Sequence, residues 1–436
     1  MLNLSFLSKS NSRTFFHGAC FFAFSLLAVL HIPIYEINDK ALGGFDLAVL
    51  CIAPLAIFGL ARNKIPLRIS YYKASFTCLV LFTIYAGFTL AINWSRPLLS
   101  LLPEENFSFP ILLWAKQVEY LLIILSAVWL SQKTGWRSMQ LSLSVSLIII
   151  SLYGFYAMFI GHFWYRLGLI NMSGEVSSNP GGFVLGACLL CLLYTNEQIS
   201  APRKYWGILA FAAGGLGYGA LVFTYSRTNN LAFIVSAALW FLPRMRRKAL
   251  LIAGIVIPVL WISNILFSIF ASNLDLGQYG ASSLQYFLHP SLIWNDPSLR
   301  LRIEENWGSA YQAWDTSAFT QWFGIGFGKL RIADGLYPNL LFTTGVLGLF
   351  LYVLTFALIV WKGPHILRCL VLFIALNGVA TETTINSFRS AQVLYVFAPA
   401  LIVILLRQRR FVKNDAVPSG SSIAISLDTE SLPEGA

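Results

Sequence analysis

The feature that most constrains this chain is its series of long apolar stretches. A hydrocarbon core about 30 Å thick is crossed by roughly 20 helical residues. Twelve stretches approach that length: about residues 15–34, 43–61, 74–93, 110–131, 138–160, 181–197, 207–226, 229–243, 249–271, 338–361, 369–384 and 391–406. The sixth, eighth and eleventh are short. Hydrophobic residues make up 57% of the chain and charged ones only 11%, against about 25% charged in ordinary soluble domains. A chain this apolar cannot cover a water-facing surface with polar groups. Composition therefore excludes a soluble fold, a disulfide scaffold and disorder over most of the length. It predicts an all-α polytopic membrane protein.

Four regions are expected: a transmembrane bundle over 1–271 with nine spans, a large outer loop over 272–337, spans ten to twelve within 338–410, and an unstructured tail over 411–436. The loop is rich in aromatics (Tyr279, Tyr286, Phe287, Trp294, Trp307, Trp314, Trp322, Phe323). Its stretch Pro297–Thr320 reads as a helix lying on the membrane surface. The tail is rich in Ser, Pro, Gly and acids. No repeat of the kind seen in duplicated transporters is evident.

Orientation follows from Lys and Arg. With the N-terminus inside and the spans alternating, 20 of the 30 Lys and Arg fall on the cytoplasmic side. This bias places both termini in the cytoplasm. The net charge of +11 belongs to those loops rather than to nucleic-acid binding. Lys9 and Arg13 precede the first apolar run with no small-residue cleavage site after it, which reads as a signal anchor. The six cysteines lie in apolar runs without metal spacing and are expected to be buried thiols. No metal or cofactor is expected.

The charges left at the outer face are more telling, because a charge there is costly unless paired or used. Arg166, Arg227, Arg300, Arg302 and Arg331 come from three outer segments. A guanidinium presents a planar fork that suits phosphate oxygens. Converging outward arginines suit a lipid diphosphate, although each could also snorkel or pair with an acid such as Glu304 or Glu305. Arg166 is followed by Asn179-Pro180-Gly181-Gly182, which opens the sixth span as an ordinary cap or as an anion-favouring helix end. Ser226-Arg227 ends the seventh span, and Thr228-Asn229 are expected to turn the chain into the eighth.

The strongest local pattern is Phe323-Gly324-Ile325-Gly326-Phe327-Gly328, followed by Asp334-Gly335-Leu336-Tyr337 and Gly345-Val346-Leu347-Gly348. These glycines allow a tight turn and close backbone approach. With no strand before it, the turn is not a dinucleotide fingerprint. Asp334, at the outer mouth of the tenth span, is expected as that helix's N-cap, as a carboxylate that takes a proton from a sugar hydroxyl, or as both.

In this order, the segments resemble the membrane O-antigen polymerase and ligase superfamily. The matching pieces are Arg166-x-Gly168 with Asn179-Pro180, Ser226-Arg227, an Arg300/Arg302–Trp307 helix, the Gly324–Gly328 turn, and Asp334-x-x-Tyr337-x7-Gly345-x-x-Gly348. They cover about residues 150–360; the first four spans fit by hydropathy alone. The resemblance implies a GT-C-like bundle in the bacterial inner membrane that acts on undecaprenyl-diphosphate-linked glycans at the periplasmic face without a metal. It implies a flippase and a chain-length regulator as partners. It places Arg227 and Arg302 at the diphosphate with Asp334 as the third catalytic residue, and Arg166, Arg300, Asn179, Tyr337 and Arg331 around the substrate. Ligases of the superfamily carry a His where Asp334 stands, so this chain is more similar to the polymerases. Gly335 stands where many relatives have Asn. A ligase moving glycan to lipid A core or protein is the first alternative. A lipid or polysaccharide transporter is the second, but its signal would be charge deep in the spans. Only Asp46, Lys116 and Glu119 lie there, with Lys116 and Glu119 spaced to pair.

Overall fold

The computed structural model describes residues 9–30, 33–37, 40–62, 70–95, 108–160, 169–170, 176–199, 204–224, 226–241, 303–304, 307–329, 335–379 and 388–415. Helix α1 (Lys9–Leu30) leads through an antiparallel hairpin, β1 (Pro33–Ile37) and β2 (Lys40–Gly43), into α2 (Gly44–Arg62). Helices α3 (Ser70–Ile92), α4 (Ser108–Ser131) and α5 (Trp136–Ile160) follow. A second small hairpin, β3 (Leu169–Ile170) and β4 (Val176–Ser177), precedes α6 (Ser178–Glu197), α7 (Lys204–Phe223) and α8 (Arg227–Phe241). Two short helices, α9 (Gly308–Trp314) and α10 (Ala318–Phe323), come before α11 (Leu336–Lys362), α12 (His365–Gly378) and α13 (Phe388–Asp415).

This is a helical membrane protein. Seven helices are long and apolar enough to cross a bilayer, and Phe16–Leu30, Thr228–Phe241 and His365–Gly378 are shorter apolar helices. Large apolar side chains face outward, including Phe211 at 84% exposure and Trp361 at 73%. An apolar surface of that extent is unstable in water and natural against lipid chains. Helix α6 is the opposite case. Every residue from Gly181 to Leu192 is buried, because α5, α7, α8, α12 and α13 pack around it. A helix that is apolar all round belongs at the centre of such a bundle.

Eleven of the twelve expected spans coincide with a helix; the ninth, at 249–271, lies outside the described residues, as does most of the loop. Several boundaries move. Helix α1 stops at Leu30, and Pro33, which has no N–H to continue a helix, opens β1. Helix α12 ends at Gly378, six residues before the expected 384. Helix α13 continues through residues 411–415, into the segment expected to be unstructured. The single surface helix expected at Pro297–Thr320 is divided. Asp315–Ser317 separates α9 from α10, because Ser317 forms a capping box with Thr320 that starts a new helix. The cysteine expectation also needs correction. Cys188, Cys191 and Cys369 are buried, Cys20 and Cys78 are half-buried, and Cys51 is exposed. An apolar helix position in a bilayer can face lipid as readily as protein.

The helix ends sort into two groups. The start of α3, the ends of α4, α11 and α13, and the start of α12 converge around one cavity. Lys73, Lys133, Lys362, Arg368 and Arg407 lie on these ends. The starts of α2, α6, α8, α11 and α13 lie at the other end, tied by contacts such as Ser390 with Pro180 and Gln392 with Asp46.

Candidate functional site

At that second end, two sequence motifs meet. Asn179 sits in the first turn of α6 and Ser226 immediately precedes α8. Ser226 Oγ donates to Asn179 Oδ1 at 2.9 Å. Asn229 Nδ2 donates to the Asn179 carbonyl at 2.8 Å and to Ser226 Oγ at 2.7 Å. Asn229 therefore lies within a helix rather than in the expected turn. Gly182 makes the contact possible: a Cβ there would lie 2.7 Å from Asn229 Nδ2. Pro180 fits the first helical turn, where its missing N–H is not needed. The amino ends of α6 and α8 are thus tied together, and Arg227 opens α8. Two helix amino ends side by side favour an anion.

The glycine-rich turn meets a break in α11. Gly345 has φ 70° and ψ −175°, which divides the helix. The carbonyls of Phe342, Thr343 and Thr344 lose their partners one turn on. They are met by Ile325 N at 2.9 Å, Gly326 N at 3.0 Å and Tyr85 Oη at 3.1 Å respectively. Tyr85 Oη also reaches the Trp322 carbonyl at 3.1 Å. The close backbone approach expected of the glycines is present. A Cβ on Gly324 would lie 2.3 Å from the Thr343 carbonyl, and one on Gly345 would lie 2.2 Å from that of Trp322. Irregular backbone at membrane depth is tolerated only where it is buried and paired in this way. The break itself is invisible to hydropathy, which reads residues 338–361 as one span.

Lys329 ends this turn and is 1% exposed. Its Nζ donates to the Asn93 carbonyl and, at 2.8 Å, to the Trp94 carbonyl. It caps the carboxyl end of α3, where a cation is favoured. Sequence reasoning missed it; a lone lysine closing an apolar glycine turn was the available signal.

Gly335 is the N-cap of α11, with φ 109°. The alternative that gave Asp334 that role is corrected accordingly. A Cβ on Gly335 would lie 3.2 Å from the Trp307 ring and 3.2 Å from the Val379 carbonyl. Trp307, five residues after Arg302 in the chain, therefore lies against the residue that follows Asp334. Tyr337 is held structurally: its hydroxyl donates to the Ala375 carbonyl at 3.0 Å. Arg166, Arg300, Arg302, Arg331 and Asp334 lie outside the described residues.

The three charges expected deep in the spans form one cluster, although Asp46 lies in the first turn of α2 rather than mid-span. Lys116 Nζ lies 2.6 Å from Glu119 Oε2, the expected pair, and 2.9 Å from Asp46 Oδ1. Gln392 Nε2 donates to Asp46 Oδ1 at 3.0 Å and to Glu119 Oε1 at 3.4 Å. Asp46 Oδ2 accepts from Gly43 N at 2.8 Å, capping the start of α2. The first turn of α13 links this cluster to the α6 end, since Ser390 Oγ donates to the Pro180 carbonyl at 3.4 Å. Among the described residues, no group of three His, Cys, Asp or Glu is placed to hold a metal. A scan against protein-family models finds no match, and neither does a search of curated proteins.

Proposed function

We propose that this chain is a twelve-span, GT-C-like glycosyltransferase of the bacterial inner membrane that polymerises undecaprenyl-diphosphate-linked oligosaccharide units at the periplasmic face. Both termini lie in the cytoplasm. The growing chain on its lipid diphosphate is the donor, and a hydroxyl of a new lipid-linked unit is the acceptor. Asp334 accepts the hydroxyl proton as the new glycosidic bond forms at the anomeric carbon. The bond from that carbon to the diphosphate breaks, and the electron pair leaves with the diphosphate. Arg227 and Arg302 stabilise the charge that develops there. Arg166, Arg300 and Arg331 complete the anionic pocket, and a single displacement inverts the anomeric centre.

The observation that carries this reading is the Ser226–Asn179 hydrogen bond of 2.9 Å. It joins the amino ends of α6 and α8 at Arg227, so two motifs far apart in sequence share one anion-favouring end. The placement of Trp307 against Gly335 adds support from the Arg302 and Asp334 segments. Tyr337, whose hydroxyl ties α11 to α12, lies beside the proposed substrate. Among the described residues, Asp46, Lys116 and Glu119 weigh against the transporter alternative: one lysine and two carboxylates gather in a compact cluster rather than forming a track.

The test is a glycan gel on a bacterial strain lacking the protein, complemented with wild type, Arg227→Ala, Arg302→Ala or Asp334→Asn. A polymerase predicts that each variant inserts normally and yields single repeat units in place of long polymer. Long polymer accumulating on the lipid carrier would point to a ligase, and an unchanged glycan profile would reject the enzyme altogether.

A further inference from the structure

The basic end of the bundle contains a partly open cavity of about 370 Å³, lined by α3, α4, α11, α12 and α13. Small-molecule sites span roughly 300–1,000 Å³, so the volume is that of a ligand site rather than a packing defect. Its walls are almost wholly aliphatic and aromatic, with Leu79, Ile124, Leu370 and Val403 among them. An apolar cavity of this kind does not hold water. Left empty inside a bilayer, it would forfeit dispersion contacts that hydrocarbon chains are present to supply.

One end of the cavity is polar. Arg407 and Gln132 both line it. Arg407 Nη1 donates to the Gln132 carbonyl at 2.8 Å, which holds the guanidinium at the mouth. Gln132 Nε2 is buried and, among the described residues, has no hydrogen-bond partner. An unsatisfied buried donor calls for an acceptor. Lys73, Lys133 and Lys362 lie at the same end, so the surroundings favour an anion.

We infer that the cavity binds one acyl chain of an anionic phospholipid, with Gln132 and Arg407 receiving its glycerophosphate. The polar mouth selects this occupant over the chain of a lipid-linked glycan. A diphosphate near Asn179 would bring its hydrocarbon in from the opposite end of the bundle. The lipid is therefore a second, structural ligand, and its binding holds whether or not the polymerase reading does.

The experiment is native mass spectrometry of the purified, delipidated full chain mixed with phosphatidylglycerol, phosphatidylethanolamine or a polyprenyl phosphate. Wild type is expected to retain one phosphatidylglycerol at least fivefold more than phosphatidylethanolamine. Arg407→Gln should lower that retention at least fivefold, while Arg407→Lys should keep most of it. Ala398→Trp, which fills the cavity, should abolish it. The comparison of headgroups on wild type does not depend on the folding of any variant. Equal retention of the two headgroups, retention unchanged in Arg407→Gln, preference for the polyprenyl phosphate, or no retained lipid would each overturn the inference.

Discussion

Ser226 and Asn179 are 47 positions apart, yet their side chains meet at 2.9 Å and fix the relative position of two helix amino ends. Ser226 and Asn229 are buried, Asn179 is half-buried, and the bond is shared with Asn229. Removing one partner strands the others, and a stranded buried polar group costs about 1–3 kcal/mol. Ser226→Ala and Asn229→Ala are each expected to lower the melting temperature in detergent. The double variant should lose less than the sum of the two, because members of one network couple by roughly 0.5–3 kcal/mol. Strict additivity would show that the network does not hold the two helices.

The paired glycines give a sharper contrast. Gly324 and Gly345 both have φ near 70° and face each other's segments, with no room for a Cβ. Forcing an L side chain into that region costs about 1–3 kcal/mol before any clash is counted. Gly345→Ala and Gly324→Ala should each cost more than that and reduce the yield of folded protein. Gly215→Ala in α7 is the control, since a Cβ there meets nothing within 4 Å. It should be neutral or slightly stabilising, as Ala is the better helix former by about 1 kcal/mol. Equal yields for Gly345→Ala and Gly215→Ala would refute the account of the break.

Periodicity and apolar length revealed eleven of the described helices' positions because a bilayer imposes both. The breaks were not legible. Gly345 interrupts α11 only because the turn at Ile325 and Gly326 supplies replacement hydrogen bonds from another segment. Hydropathy averages over such a residue. The pairing of Lys116 with Glu119 was readable from their spacing within one helix, whereas Asp46 and Gln392 join them from α2 and α13. Nothing local announces which helices will be neighbours. Likewise, Asn179 and Ser226 each stood out as helix-end residues, but only tertiary packing shows that they bond to each other.

The Asp46–Lys116–Glu119 cluster makes an unequal set of predictions. Lys116 lies between two carboxylates and carries the one positive charge of the three. Removing one member of a buried ion pair typically costs about 3–5 kcal/mol, because the partner's charge is left uncompensated. Lys116→Met should therefore be among the most damaging single changes in the bundle. Glu119→Gln keeps the shape and removes one of two negative charges, so its effect should be within about 1 kcal/mol of wild type. Combining the two should recover part of the Lys116→Met loss. Thermal melting of the three variants checks the order, and a Lys116→Met protein as stable as wild type would remove the cluster from the stability argument.

Lys329 connects the glycine turn to α3. Its ammonium satisfies the carbonyls of Asn93 and Trp94 at the carboxyl end of α3. Charged hydrogen bonds of this kind contribute about 1.5–3 kcal/mol each. Lys329→Met keeps the aliphatic stem but leaves both carbonyls without that donor, so a loss of at least ~2 kcal/mol is expected. Lys329→Arg retains the charge but places a larger planar group in a site that is 1% exposed, and overpacking costs about 1–3 kcal/mol. Both variants should melt earlier than wild type. If Lys329 instead bound an anionic substrate, Lys329→Met would melt normally and fail only in elongation. A melting curve and a glycan gel on the same variant therefore separate a structural lysine from a substrate-binding one.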